Sequence, residues 1–206
     1  MAKTSPAKPN RKPGKFSQKG DSGYTSLLGG PSDEVNKYRV PKYHPQPHTY
    51  GIVDEASAVL SMARNSSRNE KVRRIIYSLQ EDLVLLMAEL ATAPEAAVGS
   101  GYQVTPAHVR RLEELIDELQ GEVELPARFV ISSASFPAAT IDLARTVVRR
   151  AEREAARLRH ENIITNDEVL KYLNRCADLL WTLARYEEAT GEGQGRRPQV
   201  KGDEAA

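Results

Sequence analysis

Apolar residues recur along much of this 206-residue chain with the 3.6-residue period of a helix that buries one face. The clearest stripe lies in Lys71–Ala91, where Val72, Ile75, Ile76, Leu79, Leu83, Leu86, Met87 and Leu90 predict one long amphipathic helix. A shorter helix is predicted over Tyr50–Ala63. Thr105 followed by Pro106 reads as an N-cap with proline in the first turn, opening a helix of Val109, Leu112, Ile116 and Leu119 that Gly121 closes. A fourth helix runs from Phe136 or Pro137 to Arg159. Thr165-Asn166-Asp167-Glu168 reads as a capping box for the last, carrying Val169, Leu170, Leu173, Ala177, Leu180 and Leu183. Five helices with little strand and no internal repeat predict an all-α five-helix bundle.

The fourth helix has the unusual pattern. Arg145, Arg149 and Arg153 recur every four residues, Asp142, Arg145, Arg149 and Glu152 fill the neighbouring register, and Leu143, Val147, Val148 and Ala151 occupy much of the remaining circumference. Its charges are not confined to one broad polar face, so it packs on several sides while carrying a rail of guanidinium groups. An anion site and an interhelical ion network both fit. On the last helix, Asn174, Asp178 and Arg185 fall near one face with Trp181 among them. That face is either exposed or, set against the arginine helix, half of a cleft at the bundle edge or between subunits.

Composition narrows the class. Apolar residues make up 40% and charged residues 28%, which suits a soluble globular domain, and 206 residues support one well-buried domain rather than two. A net charge of +1 does not call for a nucleic-acid partner. The single cysteine, Cys176, excludes an intrachain disulfide framework and fits a reducing compartment. No apolar run reaches the roughly 20 residues of a membrane span, and no apolar stretch follows the basic N-terminus, so a cytoplasmic protein without a secretory signal is expected. Residues 1–15 form a basic, proline-containing tail and residues 191–206 a second tail, both expected to be disordered, leaving 16–190 as the folded domain. Residues 16–49 read as irregular. His44 and His48 fall in their Pro-rich part without a cysteine or acidic cluster, so no zinc site is expected.

Phe16 to Ser26 combines Lys19, Gly20, Asp21, Ser22, Gly23 and Thr25. Glycine-rich turns can cradle phosphate with backbone amides, a lysine can neutralise it, and an acid can hold magnesium. The spacing is not that of a Walker A loop. An ordinary surface loop fits the same residues.

Taken in order, these segments resemble the PduO-type ATP:cob(I)alamin adenosyltransferases over about Phe16 to Tyr186. The matching elements are Ser17-Gln-Lys-Gly-Asp-Ser-Gly, Arg39-Val-Pro-Lys42, Tyr50-Gly-Ile-Val-Asp54-Glu55, Phe129-Val-Ile, Arg145-Thr-Val-Val-Arg149-Arg150-Ala-Glu152-Arg153 and Leu173-Asn174-Arg175-Cys-Ala-Asp178. Gly-Asp-x-Gly alone carries little; the Arg-Arg-Ala-Glu-Arg and Leu-Asn-Arg-x-x-Asp pair in this order carries much.

The resemblance implies a five-helix bundle assembled as a homotrimer, with ATP and corrinoid sites where subunits meet. It implies transfer of the 5′-deoxyadenosyl group of ATP to the cobalt(I) of cob(I)alamin with release of triphosphate. Ser17, Lys19, Gly20, Asp21, Gly23, Thr25 and Lys42 would surround the triphosphate and its Mg2+. Arg149 would hold ATP, with Glu152, Arg153 and Asn174 shaping the nucleotide site. Asp54 would pair with Arg145 across a subunit interface, and Phe129 would press on the corrinoid's lower face. A cobalamin reductase or an adenosylcobalamin-dependent enzyme would be a protein partner; no membrane or nucleic acid is implied.

The chain departs from the family pattern in several places. Ser17-Gln18 stands where Thr-Arg or Thr-Lys is usual, the segment between Gly30 and Arg39 is longer, and Tyr43-His44 replaces a pair of aspartates. After Phe129, Val130-Ile-Ser132-Ser133-Ala134-Ser135-Phe136 lacks the usual glycines, which restricts close backbone approach to a flat corrinoid. Asp142 stands where histidine is common. These last changes fall on the expected corrinoid side, so a non-catalytic ATP/corrinoid-binding homologue with a regulatory or chaperone role is the alternative reading.

Overall fold

The computed structural model describes residues 20–29, 37–97, 100–126 and 135–191. Five helices follow a short hairpin: α1 (Pro45–Ser66), α2 (Glu70–Leu90), α3 (Pro106–Glu122), α4 (Phe136–His160) and α5 (Glu168–Thr190). The hairpin pairs β1 (Tyr24–Ser26) antiparallel with β2 (Arg39–Pro41), Thr25 facing Val40, inside the region whose composition reads as irregular. Both expected tails lie outside the described residues, Gly191 excepted.

Helix α1 starts five residues before the expected Tyr50. His44 is its N-cap, with Nδ1 accepting from the Gln46 amide at 3.3 Å. Pro45 and Pro47 sit in the first turn, where a missing N–H costs nothing. His44 and His48 are therefore one helical turn apart at a helix start, not in a loop; the His48 amide donates to the His44 carbonyl at 3.1 Å. Asn69 caps α2 by accepting from Lys71 N at 2.9 Å and Val72 N at 3.3 Å. Thr105 begins α3 as expected, but the helix passes through Gly121 and stops at Glu122.

The expected capping box of α5 does not form. Asn166 Oδ1 accepts from the Glu168 amide at 3.1 Å, and its Nδ2 donates to Glu89 and to the Val104 carbonyl, each at 2.8 Å. The Glu168 carboxylate turns instead to Lys171 at 2.6 Å. Local contacts replace the box: Asn166 serves the Glu168 amide and Lys171 takes the Glu168 carboxylate.

Helix α1 packs against α2 and α4, α4 against α5, and α3 against α5. The predicted stripe of α2 is buried at Val72, Ile75, Ile76, Leu79, Leu83, Leu86 and Leu90, facing Leu60 of α1, Leu112 and Leu119 of α3, and Leu173, Leu180 and Leu183 of α5 in one core. Each fully buried leucine or isoleucine contributes about 1.5–3 kcal/mol, so the bundle's stability resides mainly here. Among the described residues no helix is long and apolar enough to cross a membrane.

One carboxylate sits in unfavourable surroundings. Glu187, near the end of α5, is buried and accepts a hydrogen bond from Ser67 Oγ at 2.9 Å. Burial pushes its carboxyl above the usual glutamate value, against the opposing pull of the Ser67 bond. The folded chain thus holds this proton more tightly than the unfolded chain. Its contribution to stability is present below the ordinary glutamate value and is lost as pH rises through the folded one. Glu187→Gln should therefore raise the melting temperature more at pH 8 than at pH 4; a difference from wild type that does not grow with pH would contradict this assignment.

Candidate active site

Helices α4 and α5 run antiparallel, and two polar contacts fix their register. Asn174 Nδ2 donates to Glu152 Oε1 at 3.0 Å. Ten residues earlier on α4 and eleven later on α5, Arg185 Nη2 donates to Asp142 Oδ2 at 2.6 Å. The polar stripes of the two helices face each other, as the cleft reading requires. They differ in depth: Asn174 is exposed, whereas the side chains of Arg185 and Asp142 are 1% and 5% exposed. The polar stripe of α5 is thus a surface feature at Asn174 and Asp178 and a core feature at Arg185, so it is not one exposed face.

The buried end is an ion network. Asp142 Oδ1 accepts from Arg145 Nε at 3.0 Å while Oδ2 takes Arg185. Glu188 Oε2 accepts from Arg185 Nε at 2.7 Å, and the guanidinium carbon of Arg185 lies 6.0 Å from the Trp181 ring centre. Among the described residues, two positive and two negative side chains are brought together, so Asp142 and Arg185 are each paired. Of the apolar residues on the remaining circumference of α4, Leu143 is 52% exposed, and Val147, Val148 and Ala151 carry the core face.

The exposed end sorts the remaining arginines. Arg150 pairs with Glu55 of α1 at 2.5 Å, Arg157 with Glu161 at 2.9 Å and Arg159 with Asp167 at 2.7 Å. Arg149 and Arg153 are exposed and have no carboxylate within ion-pair distance among the described residues; Arg153 Nη1 donates only to the Arg149 carbonyl, at 2.9 Å. Uncompensated positive charge on α4 is therefore concentrated beside the Glu152–Asn174 pair. Such a pair of guanidiniums can take an anionic group through directed, charge-assisted bonds.

The glycine loop is held against β2. Gly23 adopts a left-handed φ of 79°, which favours glycine, and its amide donates to the Gly20 carbonyl at 3.2 Å. The Lys42 amide donates to the Gly23 carbonyl at 2.8 Å, and a Cβ on Gly20 would meet Lys42 Nζ at 3.4 Å. Gly20, Gly23 and Lys42 thus meet, with Asp21 and Thr25 on the same loop and strand. Their donors and acceptors, an ammonium, a hydroxyl and a carboxylate beside a side-chain-free glycine, suit a phosphate chain with a hard cation.

This loop is tethered from below. Leu28 forms a parallel bridge with Thr92: its amide donates to Ala91 O at 2.8 Å, and Ala93 N donates to Leu28 O at 3.0 Å. Buried Gln46 donates through Nε2 to the carbonyls of Leu90 and Thr92, each at 2.9 Å. Gln46 escaped the sequence reading because its stretch looked like loop.

Asp54 is exposed on α1 and has no ion-pair or hydrogen-bond partner among the described residues; within one chain the partner of Arg145 is Asp142. Ser17, Lys19 and Phe129 lie outside the described residues, as does most of the altered segment after Phe129. Cys176 is buried, and desolvation pushes its thiol up to about 12, with the Asp82 charge adding to the effect, so it remains a neutral core group rather than a nucleophile. No cluster of three potential metal ligands occurs among the described residues.

A five-helix bundle with a phosphate-suited loop and, among the described residues, a pair of arginines on α4 without carboxylate partners defines a helical protein with two anion-suited surfaces. Comparison with known proteins makes this specific. The family described as Cobalamin adenosyltransferase matches residues 15–187. The chain is 32% identical over 173 residues to the corrinoid adenosyltransferase PduO of Citrobacter freundii, covering 84% of this chain and 49% of that protein. It is 30% identical over 175 residues to another corrinoid adenosyltransferase of Citrobacter freundii, covering 85% of this chain and 95% of the other. It spans about half the length of the PduO proteins it matches, 49% in each case. The fold is that of a variant PduO-type ATP:corrinoid adenosyltransferase from Lactobacillus reuteri complexed with cobalamin and ATP: TM-score 0.75 at 24% identity, over 85% of this chain and 91% of that one. The chain belongs to the cobalamin adenosyltransferase family, in its PduO-type branch.

Gln46→Leu should leave two carbonyls without their donor, lowering stability by about 1–3 kcal/mol. It should also speed amide exchange at Leu28 and Ala93, whose hydrogen bonds join the same tether. Unchanged exchange at both amides would show that Gln46 does not hold the loop.

Proposed function

We propose that this chain is an ATP:cob(I)alamin adenosyltransferase of one catalytic domain, residues 16–190, acting as a cytoplasmic homotrimer. The observation that carries the reading is the family match over 15–187, which spans both the glycine loop and the α4–α5 register. In the reaction, the cobalt(I) lone pair forms a bond to C5′ of ATP while the C5′–O bond breaks and its electrons leave with triphosphate. No protein nucleophile is needed. The protein must align the two substrates and receive the charge that gathers on the leaving group.

Residue roles follow from this demand. Lys19 and Lys42 neutralise the triphosphate, with backbone groups of Gly20 and Gly23 and the hydroxyls of Ser17 and Thr25 around it. Asp21 would hold Mg2+, directly or through water, and the ion would supply further charge neutralisation there. Arg149 and Arg153 bind the anionic end of ATP, and Glu152 with Asn174 shapes the nucleotide pocket. Arg145 pairs with Asp54 of a second subunit and positions the cleft wall. Phe129 presses on the corrinoid's lower face and excludes its lower ligand. A reductase that delivers cobalt(I), or an enzyme that takes the product, would be a protein partner.

The altered segment after Phe129 supports a second reading, a homologue that binds ATP or corrinoid without turnover. An anaerobic assay with reduced cobalamin and MgATP, following cobalt–carbon bond formation, separates the two. Product formation is expected; ATP binding with no product would favour the second reading. Arg149→Ala should lower kcat/KM for ATP by about one and a half to three and a half decades, the equivalent of losing about 2–5 kcal/mol at a charged hydrogen bond. Phe129→Ala should reduce turnover more than ATP affinity. Small, equal effects in both variants would count against these roles.

A further inference from the structure

The buried network at the α4–α5 contact ends in a half-exposed arginine, and its geometry has a direction. Asp142 uses one oxygen on Arg145 Nε at 3.0 Å and the other on Arg185 Nη2 at 2.6 Å. Arg185 is held in turn by Glu188, through Nε at 2.7 Å and Nη2 at 3.1 Å. Asp142 thus cannot swing without breaking contacts in the core. Arg145, with a side chain 25% exposed, is gripped at the inner nitrogen only. Its two terminal nitrogens have no partner among the described residues. An arginine held at Nε keeps its end-on fork free, and that fork matches a carboxylate with two parallel bonds.

We propose that Asp142 is a positioning residue, which aims the free fork of Arg145 at a carboxylate on a second copy of this chain. The inference rests on the reading that Arg145 meets Asp54 of another subunit. Asp142 itself touches no substrate: at 4% exposure it lies beneath the surface, so its departure from the common histidine changes the support of the cleft, not a corrinoid contact. Arg185 and Glu188 fix the carboxylate, the carboxylate fixes Nε, and the outward fork then needs no conformational search.

The test uses Asp142→Asn and Arg145→Lys, alone and combined, in the full chain with MgATP and reduced cobalamin under anaerobic conditions. Asparagine keeps the shape but loses the charge that grips Nε; lysine keeps the positive charge but has neither Nε nor a fork. Each single variant should lower kcat by about tenfold while the KM for ATP stays within about threefold. The double variant should be no slower than the slower single, because both act through the same guanidinium. Asp142→Asn with wild-type kcat, or losses that multiply in the double variant, would overturn the inference while an active wild type leaves the enzyme reading standing. If Asp142→Asn does not fold, Arg145→Lys decides: wild-type kcat there shows that an aimed fork is not required. A wild-type chain that forms no cobalt–carbon bond overturns the enzyme reading and this inference together.

Discussion

The buried ion pair between Asp142 and Arg185 is the constraint around which the polar half of this bundle is arranged. Removing two charges from water costs several kcal/mol per ion, repaid only when geometry and further hydrogen bonds are good. Here Arg145 and Glu188 add further bonds, and the Trp181 ring lies beside the Arg185 guanidinium. A helix pair bound only by Val147, Val148, Leu173 and Leu180 could slide, because apolar contact is non-directional. A slide of α4 on α5 would leave Arg185 buried without its carboxylate. The pair therefore selects one register, and that register brings Asn174 to Glu152 about three turns away.

The rest of the candidate site is built with a different rigidity. Glu152, Arg149, Arg153 and Asn174 project from two long helices backed by the core. The glycine loop has no such backing. It stands on a three-residue hairpin and one isolated bridge, with Gln46 bracing the end of α2 below. Groups proposed to shape a nucleotide pocket thus sit on stiff elements, whereas those proposed to meet phosphate sit on a segment with fewer tertiary supports.

The helices were legible because apolar periodicity and burial coincide: every apolar residue assigned to the α2 stripe is buried or packed on the core. Starts and ends were less so. The prolines before Tyr50 read as loop, although Pro45 and Pro47 occupy the positions where a helix tolerates them. Thr165 to Glu168 spells a capping box, but Asn166 accepts from the Glu168 amide and Lys171, one turn on, claims the Glu168 carboxylate. For the site, motif order identified the family, and Glu152 does meet Asn174. What no single helix could reveal was depth. Asn174 and Arg185 share a face of α5, yet one is exposed and the other sealed by α4, so Asp142 looked like a change in a ligand-facing position. Only the antiparallel register, a relation between two helices, distinguishes the cases.

That same relation sorts the arginine rail, whose sequence fits either an anion site or an ion network. The ion network is present at one end, and further along α4 stand guanidiniums without a carboxylate partner among the described residues. At Arg145 and Arg185 the charge is matched by Asp142 and Glu188, and at Arg150 by Glu55. At Arg149 and Arg153 no carboxylate lies within ion-pair distance among the described residues. Exposed guanidiniums left uncompensated contribute little to folding, since water already solvates them. Under the proposed function their value would be the field they hold ready for an incoming anion, which need not be reorganised when charge arrives. A leaving group that accumulates negative charge is stabilised by cations in this arrangement. Compensation at Arg145 then follows from the same logic: a third free guanidinium would repel its neighbours along the helix, whereas one neutralised at Nε can be spent on geometry.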